Sequence, residues 1–217
     1  MICLGIESSA YALAVGIIND KREILANIIY NFKPLKGMGL IPRDAAEEYS
    51  KKVYDILTEA FDNANLKPEN IDLIAVTIGP GIGHCLRVGI SVAKYLALRL
   101  KKPIVGVNHC IAHLEVAKMY TGFKDPLMLY VSGGNTQIIT YKDGKYRVIG
   151  ETLDIGIGNL LDVVAREMGY DMPGGPKIEK LAKEGKNYIE IPYTVKGIDL
   201  TFGGILTYVK NLIKSGK

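Results

Sequence analysis

The sequence has no apolar run long enough to cross a bilayer, no even set of cysteines and no strong excess of one charge. The longest apolar stretches, such as Ile71 to Val76 and Leu127 to Val131, fall far short of the ~20 residues that a membrane helix needs, and Gly, Pro or Asp bounds them. No signal peptide is visible at the start of the chain. The cysteines are Cys3, Cys85 and Cys110, an odd number on segments that otherwise look like core. That argues against a disulfide framework and fits a reducing compartment. Lys and Arg number 27 against 23 Asp and Glu, for a net charge of +4. Such a charge permits contact with a polyanion but is far below that of a ribosomal or histone-like protein. The expectation is a soluble, cytoplasmic protein with no membrane partner. What the chain does have is core material: 48% of its 217 residues are hydrophobic. This suffices for one large domain or two small ones.

Alternating apolar residues predict strands at Ile2 to Ile6, Leu13 to Ile18 and Ile24 to Tyr30, with a tight turn at Asn19-Asp20-Lys21. The same plan recurs at Leu127 to Val131, Gln137 to Tyr141 and Tyr146 to Glu151, where Asp143-Gly144 is the strongest hairpin signal in the chain. In each copy a small polar turn joins the first two strands, Glu7-Ser8-Ser9 in one and Ser132-Gly133-Gly134 in the other. The repetition predicts a duplication, with lobes over residues 1–125 and 126–217. Between the copies, Pro42 starts a helix with Val53, Ile56, Leu57, Ala60 and Phe61 at helical spacing, ending near Asn65. A strand over Ile71 to Ile78, a helix over Leu86 to Leu100, a strand over Ile104 to Val107 and a helix over Ile111 to Met119 follow. Such alternation implies parallel strands with helices packed on the sheet, an α/β fold. The second copy continues with helices near Ile157 to Met168, Pro176 to Glu184 and Gly204 to Ile213. Two further strands with their helices would be needed to match the first lobe, so the second is expected to be incomplete.

Two of the three histidines, His109 and His113, are four residues apart. On a helix that spacing stacks the imidazoles so that both reach one transition metal; surface or capping histidines use it too. Asn108 precedes them as a candidate N-cap, at the C-terminal end of a strand, where open α/β sheets bind ligands. Two histidines do not complete a zinc or iron site, so an oxygen donor is needed, and Tyr130 is the nearest candidate. The Ser132-Gly133-Gly134-Asn135-Thr136 run follows a strand and offers unhindered N–H groups to phosphate oxygens, although a tight hairpin would use the same residues. Glu7, in the matching turn, is a carboxylate able to orient water or a metal-bound phosphate. The Gly79-Pro-Gly-Ile-Gly83 loop leads into a helix, as plain connectors also do. Pro173-Gly-Gly-Pro176 opens another helix, with Glu179 expected in its first turn and Asp162 on the helix before it. Two carboxylates beside a glycine turn can grip ribose hydroxyls, and each is otherwise a solvated helix-face acid.

Gly106-Val-Asn-His-Cys-Ile-Ala-His-Leu-Glu115, Leu129-Tyr-Val-Ser-Gly-Gly-Asn-Thr-Gln137, Gly150-Glu-Thr-Leu-Asp154, Pro173-Gly-Gly-Pro176 and Pro192-Tyr-Thr-Val-Lys-Gly197 together resemble the tRNA adenosine threonylcarbamoyltransferase family. The likeness is to its archaeal and eukaryotic branch, formerly described as O-sialoglycoprotein endopeptidase, since bacterial members usually carry His at the position of Asn135. The resemblance implies an actin-like ATPase (ribonuclease-H-like) fold of two duplicated lobes. It implies one divalent metal, iron or zinc, on His109, His113 and Tyr130, with an aspartate ligand falling beyond the end of the chain. It implies an adenine nucleotide, threonylcarbamoyl-adenylate or ATP, on Tyr130, Val131, Ser132, Gly133, Gly134, Asp162, Gly175 and Glu179. The implied reaction moves a threonylcarbamoyl group from its adenylate to an adenosine beside the tRNA anticodon, within the KEOPS assembly. Its partners there are tRNA, a small dimerising subunit, a small atypical kinase and the kinase's regulator. Tyr11, His84 and Gly203 depart from the family pattern, which favours histidine, proline and serine there.

The alternative is a non-catalytic scaffold that keeps the docking helices around Ala45 to Phe61 and Val88 to Leu100. Without the missing half-lobe, the chain alone is expected to be inactive. Two other classes fit less well. A HExxH protease places a glutamate base between its histidines, where this chain has Cys110, Ile111 and Ala112. A sugar or acetate kinase would leave the histidine pair unused.

Overall fold

The computed structural model describes residues 1–34, 40–171 and 173–216, which divide into two compact units, Met1–Tyr120 and Thr121–Lys217.

In the first unit, β1 (Ile2–Glu7), β2 (Ala12–Asn19) and β3 (Ile24–Asn31) form an antiparallel meander. Three long elements follow: α1 (Pro42–Ala64), β4 (Leu73–Gly79) and α2 (Gly83–Leu100). β5 (Ile104–Asn108) and α3 (His109–Thr121) complete the unit. The sheet order is β3-β2-β1-β4-β5, with β4 parallel to both β1 and β5. Alternation sends Leu4 and Ile6 of β1 and Leu13, Val15 and Ile17 of β2 to one face. Tyr49, Ile56, Ala60 and Phe61 of α1 and Cys85, Ala93 and Ala97 of α2 join them in one core. Each buried Leu or Ile contributes roughly 1.5–3 kcal/mol by leaving water. Close approach of α2 to β1 depends on Gly89, where a Cβ would lie 2.4 Å from Ser8 Oγ. α1 starts at its expected proline and stops at Asn65, whose backbone is left-handed. Ile71 is fully buried but lies ahead of β4, and α2 begins three residues earlier than periodicity predicted, at Gly83.

The second unit opens with a three-stranded antiparallel sheet, β6 (Met128–Val131), β7 (Thr136–Lys142) and β8 (Lys145–Glu151), in the order β6-β7-β8. Asp143 and Gly144, both at positive φ, make the β7–β8 turn as expected. α4 (Ile157–Glu167) and α5 (Gly174–Glu184) follow. A short hairpin then appears that alternation did not reveal, β9 (Thr194–Lys196) with β10 (Asp199–Thr201), before α6 (Gly203–Lys214). Leu160 and Val164 of α4 pack with Phe202 and with Ile205, Leu206 and Val209 of α6. Among the described residues, no helix is long and apolar enough to cross a membrane.

Candidate functional site

Strands β1, β4 and β5 run parallel, so their C-terminal ends lie along one edge of the sheet, where α/β folds gather ligands. That edge assembles Glu7, Thr77 and the Asn108-His109 junction. The Asn108 side chain accepts the N–H groups of Cys110 and Ile111 at 2.9 and 3.2 Å, the cap expected from sequence. Capping starts α3 at His109, two residues before the predicted start, and so puts both histidines on the helix. Their rings meet edge to face, with centroids 4.6 Å apart, and the two Nε2 atoms are separated by 3.2 Å.

Glu7 stands behind His109. Its Oε2 is 3.2 Å from His109 Nδ1 and accepts the Thr77 hydroxyl at 2.5 Å, while its Oε1 accepts the Ser9 N–H. Ser9 Oγ also lies 3.2 Å from His109 Nδ1. A carboxylate only accepts, so the ring proton belongs on Nδ1 and the Nε2 lone pair faces His113. Burial pushes the Glu7 carboxyl upward, but the hydrogen bonds from Ser9, Thr77 and His109 outweigh it and hold the group ionised below its usual range. Burial, and then the neighbouring His109, lower His113, with Glu7 opposing in part. Both effects favour a neutral His113 imidazole, the form that ligates a metal.

Two imidazole nitrogens so placed could share a transition metal. Metal–nitrogen bonds of ~2.0–2.1 Å at a tetrahedral centre place two ligand nitrogens ~3.3 Å apart, close to the observed separation. A carboxylate on the far ring nitrogen is the usual support of a ligating histidine. Among the described residues, no group of three His, Cys, Asp or Glu side chains converges as a metal site, so the pair would need a donor of another kind or one from outside these residues.

The second unit carries the predicted nucleotide residues. Tyr130 is buried on β6 opposite Gln137, and Val131 ends that strand opposite Thr136. The following turn is closed by Ser132 N–H to the Asn135 carbonyl at 2.7 Å and by Asn135 N–H to Ser132 Oγ at 2.9 Å. Gly133 and Gly134 face open space: a Cβ on either meets no other described atom within 4 Å. On the opposite side the start of α4 touches the turn. Ile157 N–H donates to Thr136 Oγ1 at 2.9 Å, and a Cβ on Gly158 would lie 2.6 Å from the Ser132 carbonyl. A bare glycine backbone beside a helix N-terminus suits an anion.

Asp162 of α4 accepts the Gly174 N–H at 2.7 Å, which starts α5 at Gly174 instead of Pro176. Glu179 therefore falls in the second helical turn, not the first, where it is exposed and paired with Lys183 at 2.6 Å. Gly175 is open on its Cβ side apart from Leu161 at 4.0 Å.

Two residues had no role assigned from the sequence, although Asp154 ends the Gly150-Glu-Thr-Leu-Asp154 motif. Thr77 sits in an apolar strand with no motif around it, and only its place before the Gly79-Pro80 loop hinted at a strand end. Asp154 gathers four donors: Ile155 N–H, Phe202 N–H and the Thr152 hydroxyl on Oδ1, and Gly203 N–H on Oδ2. Burial raises its pKa, but these bonds prevail and bring it to about 2. Gly203 thus abuts Asp154, and a serine Cβ there would lie 2.9 Å from Oδ2. Tyr11 and His84 are exposed at the β1–β2 connection and the start of α2.

A family model described as TsaD, tRNA N6-adenosine threonylcarbamoyltransferase, matches residues 23–215. The tRNA N6-adenosine threonylcarbamoyltransferase of Thermococcus sibiricus is 54% identical over 217 residues, covering all of this chain and 66% of that protein. Component A of (R)-2-hydroxyglutaryl-CoA dehydratase from Acidaminococcus fermentans superposes with a TM-score of 0.56 at 14% identity, over 100% of this chain and 69% of that one. The ADPNP-bound activator of 2-hydroxyisocaproyl-CoA dehydratase from Clostridium difficile gives 0.52 at 13%, over 100% and 66%. At such identities the two structures show the fold alone, the actin-like ATPase class expected from the sequence. The chain spans 61–66% of the length of five curated relatives that it matches. With nearly all of its length matched and half its residues identical to a relative's, the chain belongs to the tRNA N6-adenosine threonylcarbamoyltransferase (TsaD) family.

Proposed function

We propose that this chain carries metal- and nucleotide-binding residues of a tRNA threonylcarbamoyltransferase, and that the whole protein makes N6-threonylcarbamoyladenosine. The observation that supports this most is the His109–His113 pair, with nitrogens 3.2 Å apart and Glu7 behind one ring. In the reaction, the exocyclic amine of an adenosine attacks the carbonyl carbon of threonylcarbamoyl-adenylate. A C–N bond forms, the bond from that carbon to the phosphate oxygen breaks, AMP departs and the amine loses a proton. A divalent metal, iron or zinc, held by His109 and His113 would supply Lewis acidity. Glu7 keeps the proton on His109 Nδ1, so that Nε2 can ligate. The N–H groups of the Ser132–Gly134 turn would hold phosphate oxygens of the leaving adenylate. Asp162, Gly175 and Glu179, with Tyr130 and Val131, are the proposed contacts to the rest of the nucleotide. The ADPNP in the C. difficile activator lends support, because that protein has the same fold.

Titration of the full chain with Co²⁺ should show one site, lost in His109→Ala and His113→Ala; absence of binding in the unaltered chain would sink the metal assignment. Tyr130, expected from the resemblance as a further ligand, is judged in the same titration by Tyr130→Phe. The reaction is tested by supplying threonylcarbamoyl-adenylate, tRNA and the C-terminal third of a full-length relative, and scoring the modified nucleoside by mass spectrometry. Product undiminished by His109→Ala would exclude the assigned role.

Exposed apolar side chains are what supports the alternative, a non-catalytic scaffold that docks other KEOPS subunits. Tyr54 of α1 and Tyr95 and Leu98 of α2 are 75%, 63% and 80% exposed. Such residues suit the docking of another subunit. If this chain bound the small dimerising subunit while the reconstituted reaction failed, the scaffold reading would prevail.

A further inference from the structure

We infer that Thr77 is a positioning residue that fixes the tautomer of His109. Thr77 is only 5% exposed at the end of β4, and its hydroxyl donates to Glu7 Oε2 at 2.5 Å. Parallel pairing puts it there: Ile6 is in register with Val76, and Glu7 and Thr77 are the residues that follow on the two strands. Thr77 and the Ser9 N–H together hold both carboxylate oxygens, and Oε2 is thereby kept 3.2 Å from His109 Nδ1.

The second neighbour of that nitrogen makes the restraint necessary. Ser9 Oγ lies equally close, at 3.2 Å, and a hydroxyl both donates and accepts. Facing Ser9 alone, Nδ1 is satisfied with or without a proton, and the alternative tautomer moves the proton to Nε2. Facing a fixed carboxylate, Nδ1 must carry it. Nε2 then presents a lone pair toward His113 Nε2. Thr77 thus acts through Glu7 to remove a choice that Ser9 would otherwise leave open. The consequence for metal binding rests on the function proposed above; the tautomer does not.

Long-range ¹H–¹⁵N NMR of the ¹⁵N-labelled full chain at pH 8, without metal, reads the tautomer directly. His109 should be the Nδ1–H form in the unaltered chain and in Thr77→Ser, and should gain the Nε2–H form in Thr77→Val. An unchanged tautomer in Thr77→Val would overturn the inference. Ser9→Ala provides a readout that spares Thr77: the Nδ1–H form should persist, and its loss would transfer the role to Ser9. In a parallel Co²⁺ titration, Thr77→Val should bind about 10-fold more weakly and Thr77→Ser unchanged. An unaltered chain that binds no Co²⁺ would defeat the metal assignment, while the NMR result would still decide the role of Thr77.

Discussion

Glu7 Oε2 lies 3.2 Å from His109 Nδ1, across 102 positions of the chain, and the contact exists because β1 and β5 both end on the same sheet edge. Replacing the carboxylate by an amide of equal size tests what it does. In Glu7→Gln one side of the group becomes a donor. With Ser9 N–H claiming the remaining oxygen, the NH₂ faces His109 and invites its proton onto Nε2. The fold should survive, since no volume changes. Affinity for Co²⁺ should fall roughly 10- to 100-fold, the range for loss of such a supporting partner, as measured by chelator competition. Equal affinity in the two proteins would mean that Glu7 does not support the ring.

The glycines around the Ser132 turn divide into two kinds with opposite predicted behaviour. Gly133 and Gly134 border open space, so Gly133→Ala should leave thermal stability nearly unchanged while weakening ATP binding through the methyl group placed in the anion's path. Gly158 lies where a Cβ would meet the Ser132 carbonyl at 2.6 Å, so Gly158→Ala must push α4 away from the turn. A cost of about 1–3 kcal/mol is expected, as for other overpacked contacts. Calorimetric titration with ATP and thermal unfolding of both variants separate the effects. A Gly133→Ala protein that binds ATP as before would remove this turn from the nucleotide site.

Much of this was legible because burial leaves a periodic mark. Leu4, Ile6, Leu13, Val15 and Ile17 alternate along β1 and β2, Ile56 and Ala60 repeat along α1, and Asp143-Gly144 has the chemistry of the turn it makes. The histidine pair was visible since its members lie on one helix, where spacing alone fixes proximity. Thr77 was not. Its contact with Glu7 depends on which strands pair, information held by the sheet order and by no local pattern. The β9–β10 hairpin escaped for another reason: its strands are three residues long, and β9 is exposed on every residue. It is held by the Thr152–Leu200 bridge and by Glu151 N–H on Asp199, contacts with distant residues.

Asp154 should control the acid limb of stability. Its pKa falls from 3.8 to about 2 on folding. A depressed carboxyl stabilises fully above its unfolded pKa and loses that contribution as pH falls through the folded value. Asp154→Asn should therefore melt below the unaltered chain by a constant margin above about pH 4. The margin should shrink between pH 4 and pH 2 as the native carboxylate takes up its proton. Differential thermal unfolding across that range checks the sign. A margin still full at pH 2 would mean that the charge is not what holds Phe202 and Gly203.

Tyr49 separates the stability of the first unit from its proposed chemistry. Its ring is fully buried, edge-on to Tyr30, and its hydroxyl donates to the Ala10 carbonyl at the end of the Glu7-Ser8-Ser9 turn. Tyr49→Phe keeps the packed ring and deletes one donor, leaving the carbonyl without this partner, at a cost of about 1–2 kcal/mol. Chemical denaturation should register that loss. Co²⁺ affinity should nonetheless stay within about 2-fold, because Thr77 and the Ser9 N–H still hold the Glu7 carboxylate in place. A large drop in affinity would show instead that the turn, braced by Tyr49, sets the position of Ser9 and through it the His109 ring. The weight of the support would then shift from β4 to α1.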